Sequence, residues 1–176
     1  MLVCQLSFLY NLSEFFFFFL VMERTLVLVK PDALQRGLVG NIVNRFERKG
    51  LKLIGMKMLA LGDDVLEEHY AHVADKPFFS GMRKFMKSTP IIAMCWEGKE
   101  GIEVVRLLCG STNARKADVG TIRGDLSMSI QYNIVHASDS PEAAREELNR
   151  FFKAEELFSY QKDEYLHLYT EDEKGV

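Results

Sequence analysis

His136 stands just past a short apolar run, Asn133-Ile134-Val135, and four residues before Ser140-Pro141-Glu142. Imidazole can serve as a nucleophile or a base near neutral pH. The flanking pattern says what it would face. Gln131 to Val135 reads as a strand, with Ile134 and Val135 supplying β-branched bulk. A helix starts soon after. Ser140 suits the N-cap with Pro141 at the first helical position, or Asp139 and Glu142 form a capping box; the pattern leaves both open. Either way His136 precedes a helix N-terminus, where free N–H groups favour an anion.

That helix runs from Pro141 to about Phe152 and holds an anomaly. Ala143, Ala144, Leu148, Phe151 and Phe152 form one apolar arc, and Glu147 falls inside it. A carboxylate on a buried face is costly unless paired. An imidazole N–H would pair it, fix the tautomer and leave the other ring nitrogen free to attack. Escape to solvent at the helix flank is the alternative.

Cations are placed to support such chemistry. Lys30 ends an apolar strand, Thr25 to Val29, at Pro31. Arg106 flanks the apolar arc of a helix from Gly101 to Cys109. A loop from Gly110 to Gly124 follows, carrying Thr112 and Arg123; loops of that length inside a compact domain are usually functional. Guanidinium forks match phosphate geometry. His69 sits among Val65, Leu66, Tyr70 and Val73 on a helix from Asp63 to Val73 and reads as a packed or interface histidine.

The other elements follow from periodicity. Leu38, Val39, Ile42, Val43 and Phe46 stripe a helix that stops at Lys49-Gly50. Leu51 to Leu61 is a strand, Ser80 to Lys87 a short helix, and Pro90 to Trp96 a strand. The order predicts an α+β ferredoxin-like βαββαβ sandwich: a four-stranded antiparallel sheet with helices covering one face.

Composition narrows the class. An apolar share of 48% and a charged share of 27% over 176 residues suit one globular domain. A net charge of −3 argues against a dedicated nucleic-acid binder. Cys4, Cys95 and Cys109 have no metal-ligand spacing; Cys95 and Cys109 read as reduced core thiols, which fits a cytoplasmic setting. Residues 1–21 differ from the rest, with five consecutive phenylalanines at Phe15 to Phe19. The apolar run there is too short to span a bilayer and lacks signal-peptide features. We expect an extension at 1–21 outside the fold, a domain over 22–170, and a mobile tail at 171–176.

Asn133-x-x-His136-x-Ser138-Asp139-Ser140 resembles the active-site signature of the nucleoside diphosphate kinases. The resemblance extends from about Met22 to Tyr169. It implies a ping-pong kinase: His136 takes the γ-phosphate of ATP or another nucleoside triphosphate, then passes it to a nucleoside diphosphate. Such an enzyme maintains NTP and dNTP pools. The resemblance implies that Glu147 steadies His136, with Lys30 and Tyr70 near the transferred group. Arg106, Thr112 and Arg123 would hold phosphates, Lys30 and Asn133 the sugar, and Phe78 and Ile130 would sandwich the base. Stacking tolerates every base, so selectivity would be loose. Mg²⁺ would come with the nucleotide, with no protein metal site. A homohexamer is expected, with a tetramer as the alternative. Met82, Ala114, Val119 and Leu126 depart from the family pattern, the second and third where prolines are common. Competing readings are a non-catalytic nucleotide-binding regulator or a nucleic-acid module on the same fold, the latter also conceivable as a secondary activity.

Overall fold

The structure is a computed structural model that describes residues 22–174. The expected extension at 1–21, Cys4 included, lies outside them, as do residues 175 and 176. Four strands, β1 (Met22–Val29), β2 (Lys52–Leu59), β3 (Ile91–Lys99) and β4 (Val135–Ala137), form one sheet in the order β2-β3-β1-β4. All neighbours pair antiparallel. This is the ferredoxin-like arrangement expected from the element order.

The helices differ from expectation in one respect: they cover both faces of the sheet. Of the first five helices, α1 (Pro31–Gln35), α2 (Val39–Arg48) and α5 (Gly101–Cys109) lie on one face, and α3 (Asp63–His69) and α4 (Phe79–Met86) on the other. Ala33, Ile42, Phe46, Val105 and Cys109, from α1, α2 and α5, pack with Val27, Val29, Met94 and Trp96. α6 (Ile122–Leu126) adds Ile122. On the other face, Leu66 of α3, Phe85 and Met86 of α4, and Leu148 and Phe151 of α7 (Pro141–Phe151) pack with Leu26, Leu28, Ala93 and Cys95. Alternate residues of β1 and β3 thus enter two cores, so β1 is buried from Thr25 to Val29 and β3 over all but its last residue, Lys99.

The strand expected over Gln131 to Val135 is displaced. β4 spans only Val135–Ala137, and His136 lies inside it, opposite Leu28. Ile134 has φ 74°, a left-handed conformation that is rare for a β-branched residue. It cannot continue a strand. Its N–H instead donates to Asp32 Oδ2 at 3.0 Å, and its carbonyl accepts from the Lys30 N–H at 2.9 Å. β-propensity marked the segment, and these two tertiary bonds override it.

Smaller differences have local causes. Pro31 ends β1 but also opens the short helix α1, as proline at a first helical position can. The segment Gly110–Gly124 holds a 3-10 turn at Ala114–Lys116 before α6 begins. Past α7 the chain runs along β2: the Phe158 N–H donates to the Ile54 carbonyl at 2.8 Å, and Tyr160 Oη to the Leu53 carbonyl at 2.8 Å. Two further helical turns follow, α8 (Tyr165–Leu168) and α9 (Glu171–Lys174). The start of the expected mobile tail is therefore helical, and Glu173 reaches Lys99 Nζ at 3.3 Å.

Candidate active site

One clamp sets the site. β1 holds the chain around His136 from both sides, through the Lys30–Ile134 bond and a Ser138 N–H to Leu26 carbonyl bond of 3.2 Å. The Leu26 N–H in turn donates to Ser138 Oγ at 3.2 Å. α7 then begins at Ser140, whose Oγ accepts from the Ala143 N–H at 3.1 Å. That resolves the cap in favour of Ser140 and sets the phase of the helix.

With that phase Glu147 points inward. Its carboxylate Oε1 lies 2.9 Å from His136 Nε2, and its Oε2 accepts from Ser138 Oγ at 2.6 Å. The pairing reading of Glu147 is the one that the geometry supports. Burial alone would raise its pKa, yet the bonds from His136 and Ser138 hold it below the ordinary carboxylate value. A proton on Nε2 facing Glu147 leaves Nδ1 of His136 with its lone pair. The ring is partly exposed, with 23% of its side-chain surface open to the cleft.

The cleft measures about 1100 Å³, and every residue named from the sequence lines it: Lys30, Tyr70, Phe78, Arg106, Thr112, Arg123, Ile130, Asn133, His136 and Glu147. They are not equivalent. Asn133 is 1% exposed and ties two neighbours together. Its Oδ1 accepts from Lys30 Nζ at 2.6 Å, and its Nδ2 donates to the Thr112 carbonyl at 2.9 Å. Arg123 is also buried and donates to the carbonyls of Asn133, Gly110 and Val135 at 3.3, 2.6 and 2.8 Å. Three of its five N–H groups are thus committed. Arg106, by contrast, is exposed on the cleft wall. Phe78 and Ile130 are each 52% exposed, a large open apolar surface at one end.

Lys30 is held with a pKa lowered to about 8, by burial first and then by Arg123. The Tyr70 phenol is pushed well above its ordinary value by burial and by Glu147. It therefore stays protonated.

His69 is the residue whose neighbour the sequence did not report. It is packed, as expected, but against the nucleophile. Its ring lies 4.6 Å from His136, 4.6 Å from Tyr70 and 5.2 Å from Phe151, each in an edge-on arrangement. Its Nδ1 is 3.7 Å from Glu147 Oε1. Burial, then the neighbouring His136, Arg150 and His72, lower its pKa to about 3, with Glu147 opposing. The adjacency to Tyr70 was the available signal.

Residues 23–157 match the family of nucleoside diphosphate kinases. The nucleoside diphosphate kinase of Parabacteroides distasonis is 59% identical over 152 residues, covering 86% of this chain and 99% of the relative. This chain belongs to the nucleoside diphosphate kinase family. The Archaeoglobus fulgidus nucleoside diphosphate kinase is 49% identical over 150 residues, covering 85% of this chain and 99% of its own. Among solved structures, a halophilic nucleoside diphosphate kinase from Halobacterium salinarum in complex with CDP superposes with a TM-score of 0.83. Its identity is 43%, with 85% of this chain and all of that one covered. A nucleoside diphosphate kinase family protein from Babesia bovis gives 0.81 at 44% identity, with 84% and 100% covered. The enzyme is a nucleoside diphosphate kinase in activity. It transfers the γ-phosphate of a nucleoside triphosphate to a nucleoside diphosphate by a ping-pong route through phosphohistidine at His136.

Proposed function

We propose the following division of labour for that transfer; the His136–Glu147 bond is the observation that carries it. Nδ1 of His136 attacks the γ-phosphorus, and the nucleoside diphosphate leaves. The ring gains positive charge, which Glu147 balances through Nε2. A second diphosphate enters and takes the phosphoryl group by the reverse displacement. Phosphoryl transfer depends chiefly on positioning and charge neutralisation. Arg106 and Thr112 contact phosphates directly. Arg123 contributes through its remaining N–H groups while bracing the loop. Lys30 and Tyr70 donate to the transferred group. Asn133 and Lys30 meet the sugar, Asn133 chiefly by holding Lys30 in place. Phe78 and Ile130 stack on the base.

Mg²⁺ would come with the nucleotide as part of the substrate and would help to neutralise phosphate charge during transfer. The protein side fits that arrangement. The phosphate end is lined by Lys30, Arg106 and Arg123, and both Glu147 oxygens are already bonded. Ligand-type atoms of His69, His136 and Glu147 lie within 4.8 Å of one another. A set dominated by imidazole nitrogens, with an Arg150 nitrogen 3.4 Å from His69, does not suit Mg²⁺.

The domain occupies 22–170, the assembly is a homohexamer (tetramer as alternative), and the setting is cytoplasmic. No helix of the described residues is long and apolar enough to cross a membrane. Met56 and Met58 on edge strand β2 are 45% and 62% exposed, an apolar edge suited to subunit contact. Light scattering should return about six times 20.2 kDa; a monomer would reject the assembly. Quenched-flow transfer with Arg106→Ala tests the phosphate assignments. Direct contact predicts a loss of about 10²-fold or more, and unchanged rates would remove Arg106 from the site.

A further inference from the structure

The His136 ring is bonded at one atom. Its Nε2 lies 2.9 Å from Glu147 Oε1, and among the described residues the side chain makes no other hydrogen bond. A ring held at one atom can still tilt about that bond, so something else must set its angle. The His69 ring packs against it, with centroids 4.6 Å apart and planes 77° from parallel. Tyr70 lies 4.6 Å from His69 but 6.5 Å from His136, so His69 stands between the two. Phe151 backs His69 at 5.2 Å with its plane perpendicular. The His69 side chain is 1% exposed, which leaves it little room to move away.

His69 is itself directed. Arg150 Nη1 lies 3.4 Å from its Nδ1; a guanidinium can only donate, so Nδ1 accepts and the ring proton sits on Nε2. Arg150 Nε pairs in turn with Glu68 Oε1 at 2.8 Å, which ties α7 to the end of α3. His69 Nε2 is buried without a hydrogen-bond partner. A buried donor left unsatisfied carries a cost that an apolar side chain would avoid, and its place beside the nucleophile accounts for it. Burial, with His136, Arg150 and His72 outweighing Glu147, keeps the ring neutral.

We propose that His69 is a positioning residue for the transfer: its ring holds the His136 imidazole at the angle that presents Nδ1 to the γ-phosphorus. The proposal rests on the reading of Nδ1 as the attacking atom. The bond from Nδ1 to phosphorus forms as the bond to the leaving diphosphate oxygen breaks, and the two must lie roughly in line. Small misplacements of the attacking atom lower the rate steeply. Glu147 fixes where Nε2 sits, and His69 fixes the tilt of the ring. A ring released from His69 can turn and bond Glu147 through either nitrogen, so Nε2 takes over part of the attack. His136 gains positive charge as it attacks, and a neutral neighbour does not oppose that charge.

The test is single-turnover phosphorylation by γ-³²P-ATP and Mg²⁺ over a range of ATP concentrations, for the native enzyme, His69→Ala, His69→Leu and His69→Phe. The labelled proteins are then hydrolysed in alkali, and Nδ1- and Nε2-phosphohistidine are separated. Rates are counted per nucleotide-binding site, so unfolded protein does not enter them. Leucine fills more of the space than alanine but has no flat ring, and it serves if the alanine variant does not fold. The native enzyme should carry the Nδ1 isomer alone. His69→Ala and His69→Leu should lower the maximal rate about tenfold or more, with half-saturation by ATP changed by less than about twofold, and should place part of the label on Nε2. His69→Phe returns a flat ring and should restore most of the rate and the single isomer. A native maximal rate in His69→Ala or His69→Leu overturns the proposal. So does a slower rate that comes with the native isomer alone and is not restored by phenylalanine. Label on Nε2 in the native enzyme would refute the Nδ1 reading itself, and the proposal with it.

Discussion

His136 and Glu147 make unequal contributions that substitution can separate. His136 supplies the bond-forming atom, so His136→Ala should abolish exchange. Glu147 acts through the ring, and such orienting partners typically account for about 10- to 100-fold. Glu147→Ala should therefore retain measurable transfer, while loss equal to that of His136→Ala would make Glu147 indispensable to the chemistry. Lys30 sets an alkaline limit. With its pKa near 8 in the free enzyme, the cation is present below that pH and lost above it. Hence kcat/KM for nucleoside triphosphates, which meet the free enzyme, should fall as pH rises through about 8, and Lys30→Arg should move that limb upward. His69 works in the opposite range. Its folded pKa near 3 lies below the ordinary value of about 6.5, so the unfolded chain binds the extra proton first. Stability is full above about pH 6.5 and declines as pH falls toward 3, by about 3 kcal/mol near pH 4 from this group. His69→Phe should flatten that part of a denaturation-versus-pH curve.

At the scale of elements, α7 was legible and β4 was not. The Ser140-Pro141 start, the apolar arc and the misplaced Glu147 are all local patterns, and local patterns survive folding when nothing opposes them. The helix begins at the residue pair read from the sequence and ends one residue short, at Phe151. β4 depends on distant groups. Asp32 captures the Ile134 N–H across 102 positions of sequence, and no local pattern reports that. The same holds for His69: its helical position was readable, but its contact with His136, 67 positions later, comes from the packing of α3 against β4 and α7. Ser140→Ala should cost about 1 kcal/mol. In a chain of this size that lowers the melting temperature by about 2–4 °C. A change within error would mean the cap is redundant with Pro141.

At the scale of the molecule, the site exists only when the sheet is complete. Lys30 leaves β1, His69 ends α3, Arg106 comes from α5, Arg123 from α6, His136 from β4 and Glu147 from α7. Substrate binding is therefore linked to global folding, and a saturating nucleotide should raise the melting temperature in a concentration-dependent way. Site residues were legible because the signature around His136 is long and specific. The second helical layer was less so, since strands buried on both faces and strands buried on one differ only in alternation, which β1 hardly shows.

The central claim is a phosphoryl group carried on His136. The most direct test is incubation with γ-³²P-ATP and Mg²⁺, followed by acid and alkali treatment of the labelled protein. The account predicts label that survives alkali, is lost in acid, is released by added GDP, and is absent from His136→Ala. Label retained by His136→Ala, or exchange that proceeds with no labelled protein, would contradict it.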